Sequence, residues 1–157
     1  MNTLLSRGGE AGPRVTHGLP CVLVVDDDAP LRLTLTRELR KRGFDVYSTG
    51  SGAEAIEMYC RSSVRIDVVL MDVNMPGMSG PDALDAIRAA DPFVRCCFMT
   101  ADDWPGRRGT LLARGATAVF GKPFASVREL CETLKQLADG ASTQTDSVIG
   151  GTATWRS

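Results

Sequence analysis

The chain has 157 residues, enough for one folded unit with extensions. Hydrophobic residues make up 43% of it and charged residues 24%, with 18 basic against 19 acidic side chains and a formal net charge of −1, which excludes the strongly basic balance of a nucleic-acid binder. No apolar run approaches the roughly 20 residues that span a bilayer, and Met1–Gly18 has no apolar stretch of the kind a secretory signal needs, so no membrane partner and a cytoplasmic location are expected.

Residues 1–20 hold Gly8, Gly9, Gly12, Gly18, Pro13 and Pro20 without periodicity, and residues 140–157 are rich in Ser, Thr and Gly. Both ends read as flexible tails around a folded unit at 21–139. Inside that unit, Cys21–Val25 is a continuous apolar run, the pattern of a strand buried on both faces, and it ends in Asp26-Asp27-Asp28. Asp28 reads as a helix N-cap, and Leu31, Leu35 and Leu39 then recur at helical spacing until Arg40-Lys41-Arg42 and Gly43. Phe44–Thr49 is a second strand, and Ala53, Ile56 and Cys60 mark a second helix. A third strand at Ile66–Met71 ends at Asp72, and Pro81 opens a third helix in its first turn. Val94–Met99 is a fourth strand ending at Thr100. Residues 103–114 form a weaker helix, broken up by Pro105, Gly106 and Gly109. Ala116–Phe120 is a fifth strand that ends near Lys122-Pro123. Ser126 caps a last helix carrying Val127, Leu130, Leu134 and Leu137 on one face. Five strands alternating with five helices predict an α/β fold, a parallel sheet with helices on both faces and right-handed crossovers.

The polar residues concentrate at strand ends: Asp26, Asp27, Asp72, Thr100 and Lys122 each fall at or just past a C-terminal end. Open parallel sheets bind ligands outside those ends. Three clustered carboxylates repel one another and need a cation, and hard oxygen donors suit Mg²⁺, with Mn²⁺ the alternative. Lys122 adds a second positive charge and Thr100 a hydroxyl donor. These are the parts of a phosphoryl site built around a carboxylate nucleophile. The single histidine, His17, lies in the N-terminal tail, which removes histidine-based catalysis. Five cysteines without CxxC spacing read as small buried hydrophobes of a reducing compartment.

Val24-Val25-Asp26-Asp27-Asp28, the stretch Met71–Gly80 (MDVNMPGMSG), Met99-Thr100-Ala101 and Gly121-Lys122-Pro123-Phe124 together resemble the four signature segments of bacterial two-component response-regulator receiver domains, of the stand-alone, chemotaxis-regulator-like kind. The resemblance covers 21–139. It implies a doubly wound, flavodoxin-like five-stranded sheet of order 2-1-3-4-5, for which a chemotaxis member of the family is the standard example. It implies Asp72 as phosphoacceptor, Asp26, Asp27, Asp72 and the Asn74 carbonyl as metal site, and Thr100, Ala101, Lys122 and Pro123 as the phosphoryl-binding and switch set, with a cis bond before Pro123. It further implies that Asn74 and Asp102, two residues after Asp72 and Thr100, influence hydrolysis of the acyl phosphate, and self-dephosphorylation on the fast side is expected. The phosphodonor would be a sensor histidine kinase or a histidine phosphotransfer protein. Residues 140–157 are too short and polar for a DNA-binding or enzymatic output unit, so signalling through protein contacts with an unknown downstream protein, or phosphoryl relay, is expected. The chain would then catalyse only its own phosphorylation and dephosphorylation.

One position departs from the pattern. Family members carry Tyr or Phe three residues before the lysine, whereas here Val119 stands there and Phe120 follows, on the opposite face by strand alternation. Val119 therefore supports a second reading, a receiver-like interaction module that works without phosphorylation. Trp104 reads equally as a partly buried anchor and as a partner contact. An aspartyl phosphatase of the haloacid-dehalogenase kind is disfavoured, because Asp72 is followed by Val73-Asn74-Met75-Pro76 with no second Asp.

Overall fold

A computed structural model describes residues 18–61 and 63–140 together with the backbone of 153–155. Ten elements alternate as predicted: β1 (Cys21–Val25), α1 (Ala29–Lys41), β2 (Asp45–Thr49), α2 (Gly52–Arg61), β3 (Val68–Asp72), α3 (Gly80–Ala90), β4 (Cys96–Thr100), α4 (Pro105–Ala113), β5 (Ala118–Gly121) and α5 (Val127–Ala138). The five strands are parallel in the order 2-1-3-4-5. A short strand that the sequence reading did not anticipate, β6 (Ala153–Trp155), pairs antiparallel with β5 and extends the sheet at that edge. Three residues inside a polar stretch carry no period by which a strand is recognised.

β1 begins where its apolar run begins, whereas β2 to β5 begin one to two residues later than theirs. Those leading residues close the preceding turn instead of joining the sheet. Phe44 N–H donates to the Leu39 carbonyl (3.2 Å), Val94 N–H to Asp91 (3.2 Å) and Ala116 N–H to Leu111 (3.1 Å). Their side chains are nonetheless buried, so hydrophobicity marked the core correctly while hydrogen bonding set the boundary.

Helix starts follow capping chemistry. The Asp28 carboxylate accepts from Leu31 N–H (3.1 Å), Ser79 Oγ from Asp82 N–H (3.2 Å) and Ser126 Oγ from Glu129 N–H (3.2 Å). Arg40 and Lys41 occupy the last turn of α1, where cations suit the helix dipole, and Gly43 follows at φ +89°.

Alternation along the strands feeds two cores. Leu23, Val25, Val69, Met71, Phe98 and Val119 pack on the side of α2, α3 and α4 with Ala55, Leu84, Ile87 and Leu111. Val22, Val24, Leu70, Met99 and Phe120 pack on the other side against Leu35 and Leu39 of α1 and Leu130, Leu134 and Leu137 of α5. Cys21, Cys96, Cys97 and Cys131 are buried as expected. Cys60 is exposed, because it falls on the outer face of α2, which corrects its reading as a core residue. No helix among the described residues is long and apolar enough to cross a membrane.

Gly80 shows how closely α3 approaches the functional strand. A Cβ there would lie far inside van der Waals contact of the Asp72 carbonyl oxygen and 3.1 Å from the Phe98 ring. Gly80→Ala is therefore expected to lower unfolding stability in urea by about 1–3 kcal/mol, the usual range for overpacking. The helix-propensity gain of at most about 1 kcal/mol does not offset this. A variant as stable as the parent would show that α3 shifts freely.

Candidate functional site

The site lies at the carboxyl end of the sheet, where β1 and β3 are neighbours and the chain order reverses. Val25 is registered with Met71, so the residues that follow, Asp26 and Asp72, emerge side by side. Thr100 is registered with Gly121, which brings Lys122 to the same rim. Asp26, Asp72, Thr100 and Lys122, distant in sequence, thus converge because each is the last residue of its strand or the first beyond it, and Asp27 follows Asp26.

Asp26 is fully buried and Asp72 is 6% exposed, while Asp27 is exposed. The three offer carboxylate oxygens within 4.8 Å of one another. Lys122 Nζ bridges the two buried carboxylates, 3.1 Å from Asp26 Oδ2 and 3.2 Å from Asp72 Oδ1. Asp26 is fixed further: its Oδ1 accepts the Asp28 N–H (2.9 Å), its own N–H donates to the Thr49 carbonyl (3.2 Å), and its carbonyl accepts from Arg32.

Unit charges about 4 Å apart in partly screened surroundings interact by about 4 kcal/mol. Two attractions to Lys122 do not offset the mutual repulsion of three carboxylates. Asp72 responds to burial first and to the charge of Asp26 second, which together raise its pKa from 3.8 to about 6, against the lowering effect of Lys122 and of the Asn74 N–H. Burial also pulls the Lys122 ammonium down, but Asp72 and Asp26 more than reverse this, so its pKa lies above the usual value and it stays charged. The remaining negative charge and the hard oxygen donors fit a divalent cation.

The other predicted residues surround this cluster. Thr100 is fully buried. Its carbonyl accepts the Lys122 N–H (2.8 Å) and its Oγ1 accepts the Asp102 N–H (3.1 Å). Asn74, Ala101 and Asp102 are exposed beside the cluster, and the Lys122–Pro123 bond is cis. Trp104, the N-cap of α4 without a side-chain cap bond, is 59% exposed, its ring lying against Gly106. Val119 and Phe120 are both buried, on opposite sides of the sheet as alternation required. Two features escaped the sequence reading. Arg32 reaches the Asp26 carbonyl from the first turn of α1, and Arg108 is buried against Asp103. No periodicity signals either.

The response regulator receiver domain family profile matches residues 22–135. The chain belongs to this family. As a receiver domain it is 35% identical over 128 residues to the transcriptional regulatory protein PrrA of Mycobacterium tuberculosis, an alignment covering 82% of this chain and 54% of that protein. The chain thus spans about half the length of the curated relatives it matches first. Among solved structures it superposes on the Francisella response regulator 1452 receiver domain with a TM-score of 0.71 at 26% identity, covering 77% of this chain and 98% of that one. It also superposes on the response regulator TrrA of Thermotoga maritima, solved in complex with Mg²⁺-BeF, with a TM-score of 0.65 at 28% identity, covering 76% and 99%.

Because the Asp72 carboxyl is raised, the folded chain retains a proton between about pH 4 and pH 6 that the unfolded chain has lost, and stability falls as pH rises through that window. In metal-free buffer Asp72→Asn is expected to stabilise the protein at pH 7.5 by up to about 3 kcal/mol, with the gain fading towards pH 4. Urea unfolding at both pH values tests this. A difference independent of pH would contradict it.

Proposed function

We propose that this receiver domain is a Mg²⁺-dependent phosphoacceptor that takes a phosphoryl group on Asp72 from a histidine kinase or phosphotransfer protein. The observation that carries the reading is the Lys122 ammonium bridging Asp26 and Asp72, with Asp27 completing a carboxylate cluster at the sheet's switch point. With a pKa of about 6, Asp72 is ionised at pH 7 and above. Its oxygen attacks phosphorus as the P–N bond to the donor imidazole breaks, the bonding electrons leaving with the ring nitrogen. Lys122 faces the position of the new phosphoryl group and stabilises its charge. The Thr100 hydroxyl and the backbone N–H of exposed Ala101 supply further donors, and Pro123 shapes the turn that aims Lys122. Asp26, Asp27, Asp72 and the Asn74 carbonyl would hold Mg²⁺ (or Mn²⁺), which neutralises phosphoryl charge when bound. The Mg²⁺-BeF complex of the Thermotoga relative supports this choice of ion. The signal is passed on by protein contacts, for which exposed Trp104 is a candidate.

Incubation with Mg²⁺ and acetyl phosphate is expected to add one phosphoryl group to the protein, seen by mass spectrometry. Asp72→Asn or chelation of the metal is expected to abolish it. An unlabelled parent would instead favour the phosphorylation-independent module, which the buried Val119 at the usual aromatic position favours.

Asn74 and Asp102 are both exposed at the mouth of the site, where an amide and a carboxylate can orient attacking water. The acyl phosphate is expected to decay several-fold more slowly in Asn74→Ala and in Asp102→Ala. Unchanged decay in both would remove them from the hydrolytic step.

A further inference from the structure

Against the strand end that precedes Lys122 lies a second charge pair, its guanidinium buried and its carboxylate partly exposed. Arg108, in the first turn of α4, is 8% exposed and meets Asp103 side-on, its Nε towards Oδ1 and its Nη2 towards Oδ2. A bidentate pair of this kind is geometrically demanding, and its burial weakens screening by salt. Asp103 sits in the β4–α4 loop, three residues after Thr100. Its Oδ2 lies directly over Gly121, the last residue of β5, where any Cβ would collide with it. The pair thus ties the loop that follows Thr100 to α4 on one side and to the strand end that carries Lys122 on the other.

The rest of that loop is held as well. The Lys122 N–H reaches the Thr100 carbonyl (2.8 Å), and the Asp102 N–H reaches Thr100 Oγ1 (3.1 Å). For the Thr100 hydroxyl to shift towards a group on Asp72, Oγ1 must either drop the Asp102 amide or draw it along. Asp102 is bonded directly to Asp103, so drawing it along pulls Asp103 away from Gly121 and from the guanidinium. An ion pair made in one arrangement of a loop and strained in the other biases the equilibrium towards the first.

We propose that Asp103 and Arg108 form a latch that holds Thr100 in the setting seen here, its Oγ1 on the Asp102 amide, so that they act as positioning residues which oppose closure of the loop on the phosphoryl group. The inference rests on the phosphoacceptor reading. It also accounts for the glycine at position 121, since only a residue without a Cβ lets Asp103 lie against the strand end.

The test is the affinity of the full chain for beryllofluoride at saturating Mg²⁺, followed by NMR, with urea unfolding to confirm that each variant is folded. Asp103→Asn and Arg108→Lys are both expected to bind beryllofluoride about fivefold or more tightly than the parent, the lower end of ordinary coupling between sites. Arg108→Lys preserves charge and loses only the side-on fork. Gly121→Ala, which displaces Asp103 sterically, is expected to act in the same direction where it folds. Tightening in Asp103→Asn alone would be a simple charge effect on an anion and would overturn the latch, as would unchanged or weaker binding in both pair variants. A parent that does not bind beryllofluoride would overturn the phosphoacceptor reading beneath it. Lost packing or lowered stability does not raise affinity, so a gain separates positioning from a structural role.

Discussion

The constraint on which the site depends is the burial of two carboxylates side by side at the ends of β1 and β3. Nothing in the packing of the core requires Asp26 or Asp72, and apolar residues at these positions would spare the fold both desolvation and repulsion. The fold retains them and surrounds them with what makes them tolerable: Lys122 from β5, the Asp28 amide on Asp26 and the Asn74 amide on Asp72. Each is a favourable contact with a charged oxygen, yet together they leave the cluster negative. A site built with that deficit is already shaped for a cation and for the phosphoryl oxygens a cation bridges.

The scaffold makes this arrangement rigid. β1 and β3 are buried on both faces, so the two carboxylates project from the stiffest part of the molecule. Gly80 lets α3 lie directly on the Asp72 backbone, and its N–H donates to the Val73 carbonyl (2.9 Å), closing the loop that carries Asn74. The opposite rim is different. Residues 101–106 are all exposed, and α4 begins at Trp104 without a side-chain cap. A fixed acceptor faces a loop held by a few polar contacts, which is where a conformational response is cheapest.

Much of this was legible in the sequence because the fold repeats one signal. β1, β3, β4 and β5 are each an apolar run ending at or just before a polar residue, so Asp26, Asp72, Thr100 and Lys122 marked both the strand ends and the site. Caps at Asp28 and Ser126 were readable because short polar side chains before an apolar helix face have one common use. What was not legible depends on contacts between residues with no sequence relation. Nothing in the sequence marked Arg108 as the buried partner of Asp103, Arg32 gave no sign of reaching the Asp26 carbonyl, and Cys60 passed for a core residue because its helix face could not be fixed from three apolar positions. β6 was hidden by its brevity.

Val119 and Phe120 bear on how the site communicates. A ring at position 119 would share the α2–α3–α4 side of the sheet with Phe98 and Leu111, next to the loop that follows Thr100. Valine fills less of that space and is fully buried, so it leaves no side chain to swing between an inner and an outer position. Phe120 does not substitute, because it is committed to the α1–α5 core with Leu130 and Leu134. The β5 backbone is also engaged along its outer edge, where Val119 is registered with Thr154. With β5 held by β4 on one side and β6 on the other, a strand-borne ring is not available to carry the response. The burden falls on the loop between β4 and α4, whose polar restraints are the contacts that a phosphoryl group on Asp72 is best placed to rearrange.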